Sequence, residues 1–164
     1  MKKTFRIASL LTIMVSTLLL TSCDPLKPVI NKAYGLTVKV EQYVADVETT
    51  ELVAKVDTLK PPLNILIQAI NYIEGQTSKK DVKTSLGKIS DVLETVVLVT
   101  DEVTDENVEA QKQIILNKIA EVKVTIEEVA KNLNINISTP RVARVTLDML
   151  ATDAAELEEM IKKD

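Results

Sequence analysis

The stretch VKTSLGKISDVLETVVLVTDEV, residues 82–103, decides the fold. Val82, Leu86, Ile89, Leu93, Val96, Thr100 and Val103 follow one another at alternating steps of four and three. That spacing puts them on one stripe of an α-helix and gives the seam along which helices pack as in a coiled coil. Ser78-Lys79-Lys80-Asp81 has the layout of a capping box, so the helix is expected to open there. Thr104-Asp105-Glu106-Asn107 consists of residues that cap and turn, which predicts that it closes there.

The same period extends to both sides. Val29, Ile30, Ala33, Leu36, Val40, Tyr43, Val44 and Val47 share a face, the phase slips across Glu48-Thr49-Thr50-Glu51, and Leu52, Val56, Leu59 and Leu63 resume it. A long first helix, bent or broken near Thr49–Thr50, is expected. Alternation at Leu36, Val38 and Val40 would suit a strand, but Gln42 breaks it. Pro61-Pro62 should end this element, with Pro62 in the first turn of a short helix carrying Leu63, Leu66, Ile67, Ile70 and Ile73, closed by Gly75. After the 104–107 turn, Val108, Ile115, Ile119, Val122, Ile126, Val129 and Leu133 form the next stripe. Asn134–Ser138 reads as a connector, and Thr139 with Pro140 reads as the N-cap and first residue of a last helix through Leu147, Leu150, Ala154, Leu157 and Ile161. The expected fold is all-α, an antiparallel four- to five-helix bundle over residues 29–164. Leu86–Val92 and Leu116–Val122 echo each other at an offset of 30 residues, which two amphipathic helices of similar composition also produce by chance.

The N-terminus is of another kind. Lys2, Lys3 and Arg6 precede an apolar run from Ile7 to Leu20. The run is shorter than the ~20 residues that span a bilayer. Leu20-Thr21-Ser22-Cys23 follows, and it resembles the lipobox of bacterial lipoprotein signals. The resemblance covers residues 1–23 alone. It implies that Leu20, Thr21 and Ser22 are read by a signal peptidase, that residues 1–22 are removed, and that Cys23 is lipidated. A short uncut anchor is the competing reading. Loss of Lys2, Lys3 and Arg6 takes the formal net charge from −4 to −7. Asp24 follows the cysteine, where in some lipoproteins it directs retention in the inner membrane; inner and outer membrane both stay open. Residues 23–28 would form a short tether, since Pro25 and Pro28 stiffen it and it has no Gly/Ser run.

Composition narrows the rest. With 20 basic and 24 acidic residues and 2% aromatics, the chain lacks the basic excess and stacking rings of a nucleic-acid binder. It has no His, and Cys23 is its single Cys, so the commonest general base and metal ligand are missing and no internal disulfide forms. Three glycines make no phosphate loop. Asp101, Glu102, Asp105, Glu106 and Glu109 are the densest acidic group; Asp105-x-Asn107-x-Glu109 lacks the glycine and terminal Glu of a calcium loop, so a hydrated helix start is the expectation. No catalytic site, metal or cofactor is expected. Glu51–Lys55, Glu127–Lys131, Glu158–Lys162 and Glu159–Lys163 have the spacing of surface ion pairs. Tyr34 and Tyr43 are expected at the edge of the core with their hydroxyls in water; a place in a partner surface, where Tyr is enriched, is the alternative. The functional expectation is a membrane-anchored bacterial lipoprotein that holds a protein partner at the cell envelope, facing the periplasm or the exterior. A carrier of an apolar ligand between helices and a coiled-coil spacer are the alternatives.

Overall fold

The computed structural model describes residues 25–163, and every regular element among them is helical. In order these are α1 (Leu26–Asp46), α2 (Thr49–Lys55), a 3-10 turn (Val56–Leu59), α3 (Lys60–Gln76), α4 (Lys80–Asp101), α5 (Val108–Asn132) and α6 (Leu147–Lys162). The three longest have 21, 22 and 25 residues. At 1.5 Å per residue they are about 32–38 Å long.

The heptad stripe behaves as its spacing demands. Val82, Leu86, Ile89, Leu93, Val96 and Thr100 are all buried, and Val103 packs on the core from its margin. α4 lies between α3 and α5, α5 packs on α1, and α6 lies against both α1 and α3. Cross-helix bonds fix the directions. Tyr34 meets Glu127, Glu41 meets Lys123 and the Val47 carbonyl meets Lys112, so α1 rises as α5 descends. Asn71 meets Ser90 and Lys60 meets Asp101, which makes α3 and α4 antiparallel in the same way. The chain thus reverses at 77–79 and at 102–107, and the heptad helix is folded back between neighbours. The result is an antiparallel bundle of five packed helices. Its aliphatic core is one contiguous cluster within residues 25–163. Leu36, Leu52, Leu66 and Leu93 are 0% exposed. Truncating such a residue to Ala costs about 2–5 kcal/mol.

Local chemistry explains most boundaries. The break in the first apolar stripe is real: α1 ends at Asp46, Val47 and Glu48 are extended, and α2 begins at Thr49. Pro28 sits in the first turn of α1, and Pro61 and Pro62 in that of α3, where a missing N–H leaves no helical bond unmade. The proline pair therefore opens α3, and the 3-10 turn before it absorbs the change of direction. In the 104–107 turn, the Asn107 side-chain amide donates to the Glu102 carbonyl and its oxygen accepts from the Thr104 N–H.

Three expected caps are placed differently. Gly75 lies inside α3 with ordinary helical backbone, and the helix runs on to Gln76. Lys79, not Ser78, precedes α4, and no side chain caps that start; Thr77 accepts the Lys79 N–H through its hydroxyl. The largest correction concerns α6. It starts at Leu147, with the Thr146 hydroxyl accepting the Met149 N–H, rather than at Thr139-Pro140. Asn134, in the left-handed region at φ 56°, ends α5. Around it the Ile135 N–H bonds to Ala130 and the Asn134 N–H to Lys131, which is the Schellman arrangement. From there the chain runs as a strap up the side of α1. Asn31 donates to Asn136 and accepts from the Ser138 N–H, Pro140 lies 4.0 Å from the Cβ position of Gly35, and Gln42 donates to the Val142 carbonyl. Side chains of α1 thus meet three backbone groups of the strap, the Asn136 and Val142 carbonyls and the Ser138 N–H.

Candidate functional site

The residues that the sequence singles out for processing, sorting and lipidation, namely Leu20, Thr21, Ser22, Cys23 and Asp24, lie outside the described residues, as does the whole 1–22 segment. The described chain does show where that segment joins. Helix α1 opens at Leu26, so Leu26, Lys27 and Pro28 are helical, and Val29 and Ile30 already enter the core. Three residue steps separate Cys23 from Leu26, a reach of at most ~11 Å.

Antiparallel packing gathers the start of α1 with the end of α3, the start of α4, the end of α5 and the end of α6. The Lys79 ammonium bonding to the Asn132 carbonyl at 2.9 Å ties the α4 start to the α5 end. Lys79, Lys80, Asp81, Val82 and Asn132 line an open cleft of about 430 Å3 there. Lys27, Lys79, Lys80, Lys83, Lys131, Lys162 and Lys163 are all exposed at or near this end, interspersed with Glu74, Asp81, Glu127, Glu128, Glu158 and Glu159. The opposite end gathers the acidic group: Asp101 pairs with Lys60, while Glu102, Asp105, Glu106 and Glu109 stand exposed around the turn. Among the described residues no three His, Cys, Asp or Glu side chains converge to hold a metal ion.

Helix α6 is held to α1 by a partly buried ion network. Asp153 accepts from Lys32 at 3.2 Å and from Lys39 at 2.5 Å, and Lys32 also reaches Glu156. Burial alone would raise the Asp153 pKa; bonds from Lys39 and Lys32 outweigh it and hold the carboxyl below its ordinary value. Burial likewise works to lower the Lys32 pKa, and Glu156 and Asp153 together carry it above the ordinary lysine value. Of the four surface pairs expected from spacing, Glu51–Lys55 is formed at 2.9 Å and Glu158–Lys162 is formed. Glu127 instead accepts the Tyr34 hydroxyl at 2.6 Å.

Both tyrosines depart from the expectation of wet hydroxyls. Tyr34 is buried, and burial followed by Glu127 pushes its pKa up. The Tyr43 hydroxyl is buried with no hydrogen-bond partner among the described residues, and burial, aided by Glu51, raises its pKa as well. Tyr43 borders an open cleft of about 310 Å3 with Glu51, Lys55, Arg144 and Asp148 where the strap meets α6. A second groove, about 450 Å3, runs between α3 and α6 over Pro61, Pro62, Ile65, Ala151, Ala154 and Ala155. No helix among the described residues is long and apolar enough to cross a membrane. The chain is similar to no family model, no curated protein and no solved structure.

Proposed function

We propose that this chain is a bacterial lipoprotein, anchored through acyl chains on Cys23, whose helical bundle holds a protein partner at the envelope and catalyses nothing itself. The observation that carries the reading is the order of residues 2–23: positive head, apolar run too short to span, then Leu20-Thr21-Ser22-Cys23. Each acyl methylene in the bilayer contributes about 0.8 kcal/mol; one chain binds reversibly, and two or more hold. The early start of α1 supports a bundle kept close to the bilayer, because the lead after Cys23 has little length. Confinement to that layer raises the effective concentration of the bundle toward any partner there. Crosslinking in intact membranes, followed by pull-down, tests the binding role: one recurrent protein neighbour supports it, and none counts against it.

The carrier reading retains one specific support, the apolar groove between α3 and α6. Solvent extraction of the delipidated domain separates the two. A carrier releases a stoichiometric lipid, whereas a partner-holding bundle releases none.

A further inference from the structure

Tyr43 is 7% exposed, and its hydroxyl is buried with no hydrogen-bond partner among the described residues. A phenol has a proton to give and lone pairs to share, and a buried one that uses neither calls for an explanation. The hydroxyl lies in the field of Glu51 and Lys55. Both line the cleft of about 310 Å3 where the strap meets α6, and Glu51 also lines a second cleft of about 240 Å3 with Asp46, Val47 and Glu48. Tyr43, Glu51, Arg144 and Val145 border both, so the two clefts are halves of one trough with Tyr43 at their joint.

The charge of this trough is acidic. Its walls carry Asp46, Glu48, Glu51 and Asp148 against Lys55 and Arg144. Lys55 is engaged by Glu51 at 2.9 Å. Asp46, Glu48 and Asp148 have no ion-pair partner among the described residues. The next cation outward is Lys112, which bonds to the Val47 carbonyl from α5 and has Glu109 one turn before it. Asp148 stands in the first turn of α6 and offsets the positive end of that helix. Unpaired carboxylates thus remain at both ends of the trough, Asp148 at one and Asp46 with Glu48 at the other. Between them lie the nearly buried Val47 and Val145.

We propose that this trough binds a linear aliphatic diamine, with one ammonium group at Asp148, the other at Asp46 and Glu48, and an ammonium N–H donated to the Tyr43 hydroxyl. Alkylamines, like the lysine side chain, stay protonated at neutral pH, so both ends of such a ligand are cationic. Its methylenes suit the apolar stretch between the acids, and charge-assisted bonds at its two ends fix its direction. A compact metal ion suits the trough less, since no three carboxylates converge among the described residues. Arg144 is exposed and has no ion-pair partner among the described residues, so it is free to swing away from the ligand. The inference goes beyond partner holding at the envelope and does not depend on the anchor.

The test is calorimetric titration of the full chain, kept in nonionic detergent, with putrescine, butylamine, succinate and magnesium. Putrescine is expected to bind one per chain and at least about ten-fold more tightly than the other three. Glu48→Gln/Asp148→Asn should weaken it about ten-fold, and Tyr43→Phe about five-fold. Asp91→Asn/Glu94→Gln removes the same charge from exposed positions on α4, which lines neither cleft, and should leave binding within about two-fold. Arg144→Gln removes a competing cation and should tighten it. Helicity and unfolding midpoint are checked for every variant. Butylamine or magnesium binding as tightly as putrescine would reduce the trough to a counterion cloud and overturn the proposal. Succinate binding that is lost in Arg144→Gln would overturn it in favour of an anion site. Equal weakening by the two double variants, or no binding of putrescine, would leave the hydroxyl to water and overturn it as well.

Discussion

Replacing Asp153 by Ala should loosen α6 from the bundle. Asp153 is 13% exposed and accepts from Lys32 and Lys39, whose side chains are 23% and 17% exposed. Hydrogen bonds to charged groups contribute about 1.5–3 kcal/mol each when buried. Two considerations reduce their sum here. Lys32 keeps Glu156, and both ammonium groups are near enough to the surface to regain water. Lys39, however, is left partly buried with no carboxylate, and that adds to the cost. The balance comes to about 2–3 kcal/mol, or roughly 8 °C in melting temperature for a domain of this size. Urea unfolding followed by circular dichroism gives the total, and hydrogen exchange locates it. Protection should fall first in α6 and the strap, because Leu150, Ala154 and Leu157 are the only buried side chains within α6 itself. A double-mutant cycle with Lys39→Ala should return a coupling of at least 1 kcal/mol. A total loss below about 0.5 kcal/mol, or a coupling near zero, would show that the network is ornamental and that apolar contacts alone hold α6.

The same network predicts pH dependence on two sides. Asp153 has a lowered pKa, so its stabilisation is present above the unfolded carboxylate value and is lost as pH falls through the lower folded one; Lys32 has a raised pKa, so its share is present below the ordinary lysine value and is lost as pH rises through the higher folded one. Unfolding midpoints should form a plateau through neutral pH, and Asp153→Ala should flatten the acid limb. Tyr43→Phe removes a buried hydroxyl that bonds to nothing described and should be neutral or stabilising by up to about 1 kcal/mol, whereas Tyr34→Phe loses the bonds to Glu127 and Thr139 and should cost about 1 kcal/mol. Equal effects of the two in urea melts would contradict the assigned environments. Thr146→Ala should cost about 1 kcal/mol as loss of an N-cap and should lower hydrogen-exchange protection at Met149, whereas Thr139→Ala, which loses a bond to the Tyr34 hydroxyl, should leave Met149 protected. Loss of Met149 protection in Thr139→Ala and not in Thr146→Ala would return the start of the last helix to Thr139.

The helices were legible wherever one face is buried against several neighbours. The stripe from Val82 to Val103 is such a case, and so is the slip at Glu48–Glu51, because the core requires apolar groups at that period whatever the partner. The strap was not legible as such. Thr139-Pro140 has the N-cap and first-turn proline of a helix start, yet the Asn136 and Val142 carbonyls and the Ser138 N–H are met by Asn31 and Gln42, roughly a hundred positions earlier in the chain. One signal was available: Ile135 and Ile137 alternate with asparagines, the period of an extended segment with one covered side. The tyrosine hydroxyls failed for the same reason, since Glu127 meets Tyr34 only after α1 and α5 are laid antiparallel. The trough beside Tyr43 is likewise a product of topology. Asp46, Glu51 and Asp148 are scattered in sequence and border it together because the strap returns the chain to the end of α1.

Anchoring at the envelope depends on the fate of one thiol. Intact mass analysis of the protein extracted from bacterial membranes decides it. The expected chain begins at Cys23 and carries the added mass of a diacylglyceryl group, with Cys23→Ala accumulating as an uncut precursor. A membrane form with an unmodified Cys23, or one that still begins at Met1, would contradict it.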